Sequence, residues 1–562
     1  MTQEQKRDYR KEIEDLLSNY EDGWDIFTKA QDWSHPIRFK PDAKGHDLPD
    51  TWLGLADRVI SIIAHGKYGL DTYPNSIWVI TAEQMLDAYS SVGMPVNYDH
   101  WSIGKQRVQE GKNYNAGRSG LAYEIVINSS PSIAYCMTSN TTLMQMLVIA
   151  HASYGHNSFF KGNHLFRQFT NAETIIDELE HLRDSIKKYE DLYGIDEVEA
   201  LLDAAHALEN LGVNRYTKPK KRTPQEEAKR RADLEEIRLQ NVNHVMDTVR
   251  GKPAPADDFN KSSSNVTIPA DLEENLLKFL ASYAPHLKEW ERDLLRQLSD
   301  KAQYFYPQRQ TQVMNEGWAS FWHYTLLNDL YDLDLINDKM MLEFIDSHAG
   351  VLFQPDHDSR YYNGRFNPYA LGFAIYQDIK RICENPTEED RRWFPDLVGK
   401  EWLPTLKEAM QDYKDESFVL QYLSPKVMRD FHMFAVHDDE ADDELEISAI
   451  HDDDAGYKHV RRVLASQYRL GDIEPCIEVA GYDYQDTRML TLRHKMFNNK
   501  PLDKDNTTRV LKHLHYLWKH PVVVHSVDEE DTVADTLAIP RAAKDEGPKV
   551  GEKMRYTMHL TM

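Results

Sequence analysis

Cysteine is scarce in this chain. Cys136, Cys383 and Cys476 are the three in 562 residues. They lie far apart and form no CxxC pair, which argues against a disulfide framework and a cysteine-built zinc site. That scarcity suits a reducing compartment. Long apolar runs are also missing: none approaches the roughly 18 residues that span a bilayer. The first residues, Met1-Thr2-Gln3-Glu4-Gln5-Lys6-Arg7-Asp8, carry no apolar signal core. The expectation is a cytoplasmic protein with no membrane partner. Positive charge is outweighed, with 66 Lys and Arg against 92 Asp and Glu and a net charge of −26. Such an excess of carboxylates repels phosphate backbones, so nucleic acid is not an expected partner. Neither a glycine-rich phosphate loop nor a GxSxG elbow is present, so ATP hydrolysis, kinase and Rossmann redox chemistry lack a motif. No solenoid-type repeat is found.

What is present is a globular composition. Hydrophobic residues make up 41% and aromatic residues 11%, enough to bury a large core. The length calls for two to four units. Tyr123–Asn128 has strand character, and Ser76–Thr81 reads as a strand or a helix entry. Helix dominates from about 138 to 160. Residues 171–193 form an amphipathic helix with Ile175, Leu179, Leu182 and Ile186 on one face; Thr170 and Glu173 suggest a capping box before it. Residues 216–270 are charged and rich in breakers, and read as a linker or excursion. Helical periodicity covers 271–303, 311–346, 368–384 and 400–415. Near 425–430 the pattern changes to short strands and two helices in a ββαββαβ order. The expected division is 1–215 and 271–427 as two parts of a core, 428–525 as a small α/β domain, and 526–562 as a polar tail. The fold class is α+β, a mostly helical core with that C-terminal α/β domain.

Two segments concentrate metal-ligand residue types. One runs from Ala150 to His164 and holds His151 and His156. The other runs from Gln312 to His323 and holds Glu316 and His323. Glu316 and His323 are seven apart, so two helical turns return them to one face. His151 and His156 are five apart, which an ideal α-helix splays by about 140°. Either a π-bulge realigns them, or the helix ends at Gly155 and His156 lies on a loop. Imidazole with carboxylate is a ligand set for zinc or another divalent transition metal. The competing reading is a hydrogen-bonded polar network in the core. Strand, histidine helix and glutamate helix follow one another as in a zincin, but Ala152 stands where HExxH has its glutamate. A base would have to come from elsewhere, with Glu124 and Glu316 as candidates. A third segment offers Arg360, Arg365, Asn367 and Tyr369 as contacts for an anionic or peptide substrate. Its other reading is capping, with Asn367 as cap and Pro368 at the first helical position.

These segments carry a resemblance. His151–Asn163, Pro307–Thr311, Met314–Ser320, Asn367–Gly372, Phe431–Ala435 and Ser448–Asp452 resemble the stage V sporulation protein R (SpoVR) family over nearly the whole chain. The resemblance implies a role in spore cortex formation in sporulating members, and in stress or stationary-phase physiology in a Gram-negative branch that this chain is more like. It also implies a shared pathway with a PrkA-type serine protein kinase and a von Willebrand-like protein. It carries no settled mechanism and no catalytic residues. Two readings follow: a metal-dependent hydrolase-like core acting on a peptide or cell-wall-type substrate, or a non-catalytic adaptor in the kinase pathway.

Overall fold

The computed structural model describes residues 9–45, 47–91, 93–115, 124–216, 266–267, 273–355, 366–433, 436–437, 446–447, 454–470, 474–483, 487–541, 543 and 549–554. The fold is α+β. It divides into two compact units, residues 1–203 with 293–474, and residues 204–292 with 475–562. The expected linker at 216–270 lies almost entirely outside the described residues. No helix among the described residues is long and apolar enough to cross a membrane.

The first unit is helical around a small sheet. Strand β1 (Asn75–Ile80) runs parallel to β3 (Ser132–Met137), and β2 (Glu124–Ile127) pairs antiparallel on the other side of β3. β3 is buried at every position, as a central strand must be. Thr142–Val148, Ile149–His156 and Asn157–Gly162 then run on without a break. Their capping signal is Thr141, whose hydroxyl accepts from Met144 N at 3.2 Å. The helix Gln312–Asp332 packs against both the Ile149–His156 segment and the helix Pro368–Glu384. Trp318, Phe321, Trp322 and Tyr376 fill the space between them at ring separations of 5.3–6.5 Å, edge-on geometries that aromatic quadrupoles favour.

Backbone approach at these crossings is very close. A Cβ on Gly317 would lie 2.3 Å from the Gly372 carbonyl carbon, and one on Gly372 would lie 2.0 Å from Val313 O. A Cβ on Gly155 would meet Ala319 Cα at 2.6 Å. Only residues without a side chain fit there.

Several expectations change. The capping box at Thr170 and Glu173 does not form. The helix begins at Ile175 after Thr174, because Thr170 is drawn off to Phe166 O and Asn128 at 2.7 and 3.0 Å. The break expected near 428 is not where the units part. Helix Asp454–Ser466 lays Leu464 and Ala465 into the same core as Phe418 and Val419, and Arg461 Nε donates to Leu423 O at 2.8 Å.

The second unit is a five-stranded sheet in the order β10-β9-β8-β7-β4. Its strands are β4 (Val266–Thr267), β7 (Cys476–Asp483), β8 (Leu490–Lys495), β9 (Val522–Val527) and β10 (Val533–Ile539). All pairings are antiparallel except β8 with β9. That parallel pair is joined by helix Lys504–Trp518, which buries Leu511, Leu514, Leu517 and Trp518. Residues 533–539, read from sequence as part of a polar tail, supply the edge strand. Val533, Thr536 and Ala538 are buried there, an irregular alternation in which a threonine, not an apolar residue, holds the middle buried position. A separate pair, β5 (Val436–His437) with β6 (Glu446–Ile447), is antiparallel.

The glycine seam generates a contrast. Gly372→Ala is expected to cost about 1–3 kcal/mol through overpacking. Gly104→Ala, in a helix with nothing within 4 Å, is expected to be neutral or to gain up to about 1 kcal/mol from helix propensity. Denaturant unfolding of the two variants checks the opposite signs.

Candidate metal centre

The segment Ile149–His156 is a π-helix, buried throughout. In that geometry residues five apart stack along one face. His151 and His156 therefore sit together, their ring centroids 4.6 Å apart. Of the two alternatives, the π-turn is the one observed. A second π-helix, Ile62–Lys67, packs beside the same region.

Glu316 reaches this pair from the facing helix. Its Oε2 lies 3.4 Å from His156 Nε2 and 4.0 Å from His151 Nε2. The three donor atoms all fall within 4.8 Å of one another. Ligand atoms placed tetrahedrally at roughly 2.0–2.1 Å from a metal stand about 3.4 Å apart. Small side-chain adjustments would bring the trio to that spacing. Glu316 Oε2 is buried and accepts no hydrogen bond among the described residues. A carboxylate oxygen in that position is costly without a cation.

His323 is on the expected face but in a different place. Its Nδ1 lies 2.7 Å from His151 Nδ1, and its Nε2 lies 2.7 Å from His348 Nδ1. Both ring nitrogens are thus turned to other histidines, and His323 stands behind His151. The row can be satisfied in either direction; in the direction compatible with a metal on the Glu316 side, His151 Nδ1–H donates to His323 and His323 Nε2–H donates to His348. That direction leaves the Nε2 lone pair of His151 for the Glu316 side. His156 is fixed likewise, its Nδ1–H donating to Asn315 Oδ1 at 2.9 Å. Ligating imidazoles are held by such partners on their other nitrogen.

Burial holds the His151 and His323 imidazoles well below the usual range, with neighbouring histidines adding to the effect. Burial alone lowers His348 to about 4. These rings are therefore neutral, the form that binds a metal. The glutamate helix is anchored at its start by Asp415, which accepts from Val313 N and Met314 N at 3.0 and 2.9 Å. Burial pushes the Asp415 carboxyl up to about 7 against those hydrogen bonds, and Glu316 adds to the rise.

The remaining candidates fall elsewhere. Asn367 is the N-cap of Pro368–Glu384, accepting from Tyr369 N at 3.0 Å. Its amide donates to Val351 O and Phe353 O at 2.8 and 3.1 Å. Its side chain is engaged in capping. Tyr369 stacks on His151 at 6.2 Å between centroids, so it borders the centre. Arg360 and Arg365 lie outside the described residues, as does the side chain of Glu124, which opens β2. Sequence reasoning missed Asn315, His348 and Asp415. Asn315 adjoins Glu316 and could have been named; His348 and Asp415 carry no local signal.

With this geometry in view, comparison with known proteins places the chain. Residues 51–473 match the family described as SpoVR like protein, and residues 475–529 match the SpoVR-like C-terminal domain. The chain belongs to the SpoVR family. It is 52% identical over 488 residues to the uncharacterized protein YcgB of Escherichia coli strain K12, covering 87% of this chain and 93% of that protein. No solved structure matches the chain. The junction between the two matched regions, at 473–475, coincides with the point where the first compact unit gives way to the second.

The neutral histidine row carries a pH consequence. Folded-state pKa values below the unfolded value of about 6.5 mean that the unfolded chain takes up more protons as acid is added. The stabilisation is present above about pH 6.5 and is lost as pH falls below it. In chelator, His348 alone should contribute a loss of about 1–2 kcal/mol between pH 7 and 5. Urea unfolding across that range should show the loss, and His348→Gln should flatten it.

Proposed function

We propose that His151, His156 and Glu316 form a divalent transition-metal site, with zinc the first candidate, in a hydrolase-like core. The observation that carries the reading is the convergence of two imidazole nitrogens and one donor-less buried carboxylate oxygen. Three protein ligands of this kind suit a catalytic site, because a structural zinc site uses four. A metal bound there would act as a Lewis acid and lower the pKa of a coordinated water. The chain's own part is positional. His323 and His348 orient His151, Asn315 orients His156, and Tyr369 covers one side of the His151 ring.

The substrate class that goes with this reading is a peptide or cell-wall-type bond. The order of strand, histidine helix and glutamate helix is zincin-like in outline only. Ala152 supplies no base, and Glu316 is taken up as a ligand, which leaves Glu124 to be tested. The adaptor reading in a PrkA-type kinase pathway shares the family resemblance but has no geometric feature of its own in its favour.

Elemental analysis of the purified protein tests the site. About one equivalent of zinc or another transition metal per chain is expected. His151→Ala, His156→Ala and Glu316→Ala should each reduce affinity by about 10-fold or more, and His323→Ala by about 10–100-fold through loss of orientation. Less than about a tenth of an equivalent, unchanged in these variants, sinks the proposal.

A further inference from the structure

The first unit also has a concave site, on residues other than those of the candidate metal centre. A cleft of about 460 Å³ opens beside the start of helix Trp52–Ser61 and β1. That volume is in the range of roughly 300–1,000 Å³ typical of small-molecule pockets. Trp33, half-buried, supplies an indole ring to its wall, Asp50 and Asp57 supply carboxylates, and Trp52 lines it from a fully buried position. Among the described residues no lysine or arginine lines it, and His35 is the one basic side chain there.

Asp57 is the polar centre of this wall. Its Oδ1 accepts from Tyr154 OH at 2.7 Å and from Asn75 Nδ2 at 3.3 Å. Its Oδ2 takes part in no hydrogen bond among the described residues. Burial raises the Asp57 carboxyl, although both hydrogen bonds and the neighbouring Arg58 oppose the rise. Arg58 itself is exposed and not part of the lining. An arriving cation would relieve that penalty. Asp50 stands at the exposed rim of the same cleft. Trp33 is held by its Nε1, which donates to Thr138 O at 3.2 Å. Trp52 is held edge-on against Phe27 at 5.5 Å.

Indole rings attract ammonium groups, and a carboxylate with a spare oxygen accepts a charge-assisted hydrogen bond from one. We propose that this cleft binds a small primary amine as its ammonium ion, donating to Asp57 Oδ2, with Asp50 and the Trp33 indole beside it. A carboxylate-bearing ligand would be repelled by Asp50 and Asp57. A neutral sugar or polyol would gain from the Trp33 indole but not from the two charges.

The test is calorimetric titration of the full chain with 1,4-diaminobutane, followed in parallel by tryptophan fluorescence. Saturable binding is expected. Asp57→Asn and Asp50→Asn should each weaken it by about tenfold or more, and Trp33→Leu by several-fold. The uncharged isostere 1,4-butanediol and glucose should not bind. Thermal unfolding reports whether each variant folds. Should Asp57→Asn fail to fold, the exposed Asp50 and half-buried Trp33 variants decide. No saturable binding up to about 10 mM, unchanged binding in the Asp50 and Asp57 variants, or equal binding of butanediol or glucose overturns the proposal.

Discussion

The candidate centre depends on backbones touching where side chains are absent. Gly317 follows Glu316 directly and lies against Gly372; Gly155 precedes His156 and lies against Ala319. Glu316 and His156 thus each sit next to a residue that lets its helix come into contact with a neighbour. A methyl group at any of these glycines would have to displace backbone, which packed interiors resist. The displacement would pass straight to Glu316 and His156, whose present separation of 3.4 Å leaves little slack. The aromatic residues around the seam, Trp318, Trp322 and Tyr376, lock the helices in that position from the other side.

The π-helix does the rest of the positioning. One extra residue in a helical turn carries His156 round to the face of His151, and it is held by burial on all sides. Behind the pair, His323 and His348 extend a row of neutral imidazoles away from Glu316. Such a row has a direction, since each ring that accepts at one nitrogen donates at the other. Running from His151 to His348, it presents the His151 Nε2 lone pair on the Glu316 side, the form that binds a metal; running the other way, it presents an N–H to Glu316.

Much of this was legible in the residues. The spacing of Glu316 and His323 placed both on one face, and the five-residue interval of His151 and His156 posed the π-turn as one of two solutions. What the interval could not decide was which solution the tertiary packing enforces. The role of His323 was hidden because it depends on His348, 25 residues further on and on another helix. Asn367 illustrates the reverse case. Asn-Pro before an apolar run is both a cap and a polar pair, and only the contacts decide: Oδ1 accepts from Tyr369 N as a cap, and Nδ2 is taken up by Val351 O and Phe353 O. The strand at 533–539 was obscured because its buried positions, Val533, Thr536 and Ala538, follow no strict alternation and include a polar residue.

The α+β class, the helical bulk of the first unit and the strand–helix–strand order of the second were read from periodicity, which reports burial directly; that the two strands pair in parallel came from the structure. The central claim concerns three side chains and one ion. X-ray absorption spectroscopy of the zinc-loaded protein measures it most directly. The account predicts a first shell of nitrogen and oxygen at about 2.0–2.2 Å with the multiple-scattering signature of two imidazoles. A shell containing sulfur, or one with no imidazole scattering, would contradict it.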